Sequence, residues 1–388
     1  MTAPNWITTP LTADLLRGAQ DLERTANGLL PHRLPAWARA QCADPQLATA
    51  ESKPSGVRLA FHTTAGAVEL DVFRTKMDLR GLPPRPDGCF DLVIDGELSA
   101  QARTSGGDVH VADPVTGAVE TTSGPHCTLR FTGLPPGAKD VEIWLPHNER
   151  VELGALRTDA PVQRAPDRGK RVWLHHGSSI SQGSNAASIT GIWPMVAASL
   201  GGVELINLGL GGSALLDPFT ARTLRDTPAD VISVKLGINL ANADLMRLRA
   251  FGPAVHGFLD TIREGHPATP LLVVSPIFCP IQEDTPGPVA FDLDAIREGE
   301  LRFVATGDPA ERAAGKLTLK VIREELARIV RERADARLSY LDGLELYGEA
   351  DFAELPMPDR LHPDAAAHRR IGERFAKLAF GPGGPFWS

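Results

Sequence analysis

The chain has 388 residues, with 40 basic and 48 acidic side chains for a net charge of −8, and 43% hydrophobic and 23% charged positions, which excludes a disordered, fibrous or collagen-like polypeptide. Of the charged residues, 16 basic and 20 acidic ones precede Ala165, leaving 24 and 28 beyond it, so each half carries −4 and neither offers the basic surface that nucleic acid requires. The length predicts two or three domains. Cys42, Cys89, Cys127 and Cys279 stand apart without a CxxC pair and are expected as free thiols. The opening MTAPNWITTPLTADLLRGAQ has no basic segment leading into an apolar one, and no run of 18 apolar residues occurs anywhere, so the expected setting is cytoplasmic, with no membrane partner.

In chain order, a short amphipathic helical segment is expected around Ala13 to Leu30. Short alternating segments come next. Val57 to Arg74 (VRLAFHTTAGAVELDVFR) reads as two strands about a Thr-Ala-Gly turn, Phe90 to Ile94 leads through Asp95-Gly96 into another strand, and Cys127 to Thr132 and Val141 to Leu145 continue the pattern. Such segments predict an antiparallel β-sandwich over residues 1–165. Thr158 to Lys170, with two prolines and mixed charge, reads as linker.

Residues 166–388 change character. Near-continuous apolar runs at Arg171 to Leu174, Val203 to Leu208, Val231 to Leu236, Leu271 to Ser275 and Leu338 to Leu341 alternate with helical stretches at Gly191 to Leu200, Met246 to Glu264, Leu317 to Ala334 and Ala365 to Phe380. This is the pattern of a parallel sheet wound in βαβ units, an α/β fold with helices flanking the sheet. Pro280 to Gly315, long and rich in Pro, Gly and Asp, is expected to be a functional loop facing substrate.

Four segments carry candidate chemistry. RVWLHHGSSISQG, Arg171 to Gly183, runs from a strand through a glycine and a serine pair into a helix start, at the carboxyl end of a strand where open α/β sheets bind ligands. Taken alone the serines also suit an N-cap. PDRLHPD, Pro358 to Asp364, puts Asp359 three residues before His362, so that a carboxylate can reach one imidazole nitrogen and leave the other as a base; both are equally ordinary turn residues. INLGLGGSA, Ile206 to Ala214, and VKLGIN, Val234 to Asn239, each run from a strand into a glycine turn. They place backbone N–H groups and one side-chain amide along the same sheet edge, as oxyanion donors or as mere turn formers and a cap.

In this order and spacing, Gly177-Ser178-Ser179-Ile180-Ser181, Gly212, Gly237-Ile238-Asn239 and Asp359-Arg360-Leu361-His362 resemble the four blocks of the SGNH, or GDSL, serine esterases and acyltransferases. The resemblance covers Arg171 to about Phe380, and residues 1–165 look like the N-terminal sandwich of a two-domain subgroup. It implies a flavodoxin-like parallel sheet after a jelly-roll-like sandwich. It also implies Ser179 as nucleophile, His362 as general base and acid, and Asp359 as its orienter, with the N–H groups of Ser179 and Gly212 and the Asn239 amide as oxyanion hole. No metal or cofactor is implied. The family's usual aspartate before the nucleophile is Ser178 here, and the one after the third-block asparagine is Leu240; these departures bear on loop hydrogen bonding and pocket shape rather than on proton transfer.

The implied reaction passes an acyl group from a small-molecule donor through an acyl-enzyme to water or an alcohol. The chain looks similar to the GDSL acyltransferases that decorate polyketides. A sugar deacetylase is the alternative, and a non-catalytic glycan-binding protein stands behind it. His175 and His176, neighbours on a strand, point to opposite faces and are expected to pack rather than share a metal. Trp173 and Trp193 are expected in the core, and the charged stripe of Ile322 to Arg333 on a solvated helix face.

Overall fold

The computed structural model describes residues 5–387. Backbone contacts divide them into two compact units. One comprises the chain up to Pro35, Glu51–Gly169 and Ser188–Thr190; the other comprises Ala36–Ala50, Lys170–Ala187 and the chain from Gly191 onward. Residues 36–50 therefore differ from the expectation of one uninterrupted N-terminal domain. By their contacts they belong to the C-terminal unit; Ala38, Leu47 and Ala50 are buried, and the Arg222 guanidinium lies 5.5 Å from the centre of the Trp37 ring.

The N-terminal unit consists of an eight-stranded and a six-stranded sheet whose inward residues, among them Leu59, Phe61, Val68, Leu70, Phe90 and Ile143, form one apolar cluster. Pairing is antiparallel except between Ala67–Leu79 and Asp108–Ala112, which run parallel. The Thr-Ala-Gly turn does separate two strands, Arg58–Thr63 and Ala67–Leu79, but they do not pair with each other; the turn carries the chain from one sheet to the other. The hairpin Cys89–Ile94 with Glu97–Arg103 turns through Asp95 (φ 50°) and Gly96 (φ 91°), the positive pair that a two-residue turn of right-handed twist needs. The helical segment expected at Ala13 to Leu30 is instead one 3-10 turn, Ala13–Leu15, followed by strands Leu16–Arg17, Asp21–Arg24 and Leu29–His32. Gly18 and Gly28 at positive φ interrupt any helix there, so the apolar residues line a sheet face.

The C-terminal unit is built on five parallel strands: β1 (Val172–Gly177), β2 (Glu204–Gly209), β3 (Val231–Lys235), β4 (Leu271–Val274) and β5 (Leu338–Leu341), in spatial order β2-β1-β3-β4-β5. That is the flavodoxin-like order, and it puts the topological switch between β1 and β3. Every residue of β3 and β4 is buried, which explains why the runs read as continuously apolar rather than alternating. Helices Trp193–Gly201, Leu248–Gly265, Leu319–Arg333 and Ala365–Phe375 occupy the stretches expected, and Pro218–Asp226 adds one that periodicity did not mark. Trp173 and Trp193 are fully buried with ring centroids 6.1 Å apart. The segment 280–315 holds the hairpin Val289–Phe291 with Phe303–Ala305, helix Leu293–Arg297 and a 3-10 turn at Pro309–Ala314. Among the described residues no helix is long and apolar enough to cross a membrane.

Candidate active site

Three strand ends of the parallel sheet bring the sequence motifs together. β1 ends at Gly177, and after Ser178 the chain enters the helix Ser179–Gln182, with Ser179 as its first residue. The N–H groups of a first turn have no acceptor within their own helix, so the one on Ser179 is open to a ligand. The Ser178 carbonyl accepts the N–H groups of Ser181 and Gln182, both at 3.0 Å, while its buried hydroxyl makes no hydrogen bond among the described residues. Leu240 is fully buried and apolar. The two departures from the family pattern are thus a serine that turns the loop with its backbone and a leucine that packs.

Ser179 Oγ lies 2.9 Å from His362 Nε2, and His362 Nδ1 lies 2.8 Å from Asp359 Oδ2. With Nδ1–H donating to the carboxylate, Nε2 is the acceptor for the serine hydroxyl. Asp359 is buried, and both of its oxygens are engaged: Oδ1 takes the backbone N–H groups of Leu361 (2.9 Å) and His362 (2.7 Å), and Oδ2 also takes Asn185 Nδ2 at 3.2 Å. Burial alone raises this carboxyl, but the His362 contact and the backbone donors outweigh it and hold it below the ordinary carboxylate range. The turn is tight: Arg360 adopts φ 66° between the aspartate and the histidine. Asp364 accepts the N–H of Ala367 at 2.8 Å and starts the last helix immediately after the motif.

On the other side of the serine, the loop after β2 places Gly211 so near that a Cβ there would lie 3.4 Å from both Cα and Cβ of Ser179. Gly212, exposed and at φ 73°, comes next; its N–H makes no hydrogen bond among the described residues. Asn239 sits in the first turn of Ile238–Asn242 after β3 and is buried; its Oδ1 accepts the Ala214 N–H at 3.2 Å, which leaves the amide NH2 as donor. Gly237, at φ 112°, makes the turn into that helix, and a Cβ on it would strike Ile322 Cγ2 at 2.5 Å.

The remaining histidines near the sheet are structural. His175 is enclosed between Ser233 Oγ (2.7 Å) and Ser181 Oγ (2.8 Å), and burial keeps it neutral. His176 faces the opposite way, with Nδ1 2.8 Å from the Leu208 carbonyl. Burial pushes His368 down to about 4; its Nε2–H donates to Ser184 O (2.9 Å) and its Nδ1 accepts from Trp193 N (3.2 Å).

Three side chains beside Ser179, His362 and Asp359 have no role assigned to them by the sequence motifs. Asn185 buttresses Asp359; its own φ of 67°, tolerated best by Asn after Gly, is the one local signal that could have found it. Phe303, from the segment expected to face substrate, meets the His362 ring edge-on at 5.7 Å and 77°, and its N–H donates to the Asp359 carbonyl at 3.0 Å. Gln182 Oε1 accepts the Gly211 N–H at 2.8 Å. Nothing in their local sequence distinguishes the last two.

No sequence-family profile matches the chain, and no curated protein does. Solved structures do. A salicylyl-acyltransferase, SsfX3, from a tetracycline biosynthetic pathway superposes with a TM-score of 0.76 at 26% identity over 96% of both chains. A GDSL-like lipase of Bacteroides ovatus gives 0.66 at 19% identity, again over 96% of both. A family two carbohydrate esterase of Clostridium thermocellum gives 0.55 at 13% identity, over 83% of this chain and 91% of its own, and like the lipase bears on the fold alone. With the sheet order and the strand-end placement of the motifs, these likenesses identify the fold as the one shared with the SGNH/GDSL serine esterases and acyltransferases.

Proposed function

We propose that this protein transfers an acyl group from a small-molecule ester to an alcohol acceptor, in natural-product tailoring, with Ser179 as nucleophile. The observation that carries the reading is the unbroken relay Ser179 Oγ to His362 Nε2 (2.9 Å) and His362 Nδ1 to Asp359 Oδ2 (2.8 Å). As Ser179 Oγ attacks the ester carbonyl, its proton passes to His362 Nε2, and Asp359 balances the imidazolium. The tetrahedral oxyanion is met by the N–H groups of Ser179 and Gly212 and the Asn239 amide. Collapse expels the donor's alcohol with the proton from His362, leaving an acyl-serine. An incoming alcohol then gives its proton to His362 and takes the acyl group, restoring the serine.

General acid–base assistance of this kind contributes about 10² to 10⁴ in rate, and each oxyanion donor about 10² to 10³. The likeness to a salicylyl-acyltransferase over nearly the whole chain favours transfer over hydrolysis. So does Phe303, whose ring stands against His362 where it would shield the acyl-serine from water.

The test begins with intact-protein mass after exposure to a fluorophosphonate. Wild type is expected to gain one adduct and Ser179→Ala none; an adduct on both, or on neither, refutes the assignment of the nucleophile. Acyl-group partition is then measured with an aryl ester donor and a series of alcohols in water. Ester product exceeding free acid supports transfer, while free acid alone at every alcohol concentration reduces the activity to that of an esterase.

A further inference from the structure

Gln46 stands on the helix Pro45–Glu51, in the piece of chain that interrupts the N-terminal unit and folds with the C-terminal one. Its Nε2 donates to the carbonyl of Gly211 at 2.8 Å. That carbonyl shares a peptide unit with the Gly212 N–H, the backbone donor proposed for the oxyanion. A trans peptide is planar with its C=O and N–H pointing in opposite directions, so holding the oxygen toward Gln46 aims the N–H away from it. The next peptide back is held as well, since the Gly211 N–H donates to Gln182 Oε1 at 2.8 Å. The Gly211–Gly212 peptide lies between two glycines, which can exchange positive and negative φ at little cost, so it is a peptide prone to flip unless its carbonyl is tied. Gln46 is also close enough to do this: a Cβ on Gly212 would lie 2.9 Å from Gln46 Nε2.

We infer that Gln46 is a positioning residue for the oxyanion hole: by holding the Gly211 carbonyl it fixes, and by polarising that peptide strengthens, the Gly212 N–H as a donor. The inference rests on the proposed serine acyl-transfer reading. It predicts an effect on the transition state rather than on substrate binding, because the oxyanion exists only once the serine has attacked.

The experiment compares Gln46→Glu, Gln46→Leu and Gln46→Lys with wild type in aryl-ester turnover at pH 7.5, with melting temperatures measured alongside. Glu keeps the shape but, ionised, has no donor, whereas Lys keeps one. Gln46→Glu and Gln46→Leu are expected to lower kcat by about three- to tenfold, the worth of one partly exposed hydrogen bond, with KM unchanged. Gln46→Lys is expected to retain most of wild-type kcat, and all three to melt like wild type. A kcat for Gln46→Glu equal to wild type, or a loss confined to KM, overturns the inference. Fluorophosphonate labelling of Ser179 in the same preparations separates the two readings: with Ser179 labelled, such a result removes Gln46 alone, and with Ser179 inert the acyl-transfer reading itself falls.

Discussion

Replacing Asp359 by Asn exchanges one oxygen for an NH2 group, and the hydrogen bonds around that side chain dictate the outcome. Oδ1 accepts two backbone N–H groups, from Leu361 and His362, which cannot reverse their polarity. The amide oxygen of the substituted side chain must therefore stay on that side, which turns its NH2 toward His362 Nδ1 and Asn185 Nδ2. His362 Nδ1 then becomes an acceptor, and the ring proton moves to Nε2, where it faces Ser179 Oγ. The base is occupied by its own proton, and Asn185 Nδ2 loses its acceptor on that side. The imidazolium of the transition state also loses its counter-charge. Together these are expected to cost about 10³ to 10⁴ in kcat, or about 4 to 5.5 kcal/mol of barrier. The assay is steady-state turnover of an aryl ester beside melting temperature and the rate of fluorophosphonate labelling. The Asp359→Asn variant should fold, and Ser179 should label at a rate reduced by a similar factor. Activity within tenfold of wild type in a folded Asp359→Asn protein would refute the orienting role of Asp359.

Other outcomes derive from the same geometry. Asn239→Ala removes one proposed oxyanion donor and an acceptor for Ala214 N–H, so kcat should fall about 10² to 10³-fold while Ser179 remains labelled; loss of labelling together with the fold would show a structural role instead. Phe303→Ala removes the edge contact on His362 and should raise the share of acyl groups lost to water, with kcat changed by less than about tenfold; unchanged partition between water and alcohol would exclude it as a shield. Asp217 is pushed up to about 6, first by burial and then by the charge of Asp44. Its folded state holds the proton more tightly than the unfolded one, so this group lowers stability as pH rises from about 4 to 6. Asp217→Asn should melt higher than wild type at pH 7.5 and no differently at pH 4, and an equal difference at both pH values would contradict the burial argument. Asp359 has the opposite sign. Its depressed carboxyl stabilises the fold above the ordinary carboxylate range and ceases to do so as pH falls through its folded value, so wild type should lose more stability than Asp359→Asn on acidification below about pH 4.

What the sequence makes legible here is what is local or repetitive. The five parallel strands announce themselves because burial on both faces forces runs such as Val231–Lys235 to be apolar, and the Asp359–His362 contact spans three residues. The serine elbow is visible because strand, glycine and serine are contiguous. Legibility fails where one pattern serves two structures or where partners are remote. Ala13 to Leu30 is amphipathic either way, and only the positive φ of Gly18 and Gly28 decides for strands. The turn after Thr63 looks like a hairpin, yet its strands pair elsewhere, since pairing depends on Lys139–Trp144 and Arg150–Thr158 far along the chain. Asn185 meets Asp359 across 174 positions and Gln46 meets Gly211 across 165, so neither association leaves a trace in local spacing.

That last separation has a consequence for synthesis. At about 5 to 20 residues per second, the ribosome delivers Gly211 roughly 8 to 33 seconds after Gln46. For that interval the Gly211 carbonyl that accepts from Gln46 is still to be made, as is the Arg222 guanidinium that lies over Trp37. A gene cut after Gly169 would yield a C-terminal fragment lacking residues 36–50, which by their contacts belong to it. Supplying residues 36–50 as a separate peptide to that fragment would be a form of complementation, in which two short helices arrive last instead of first.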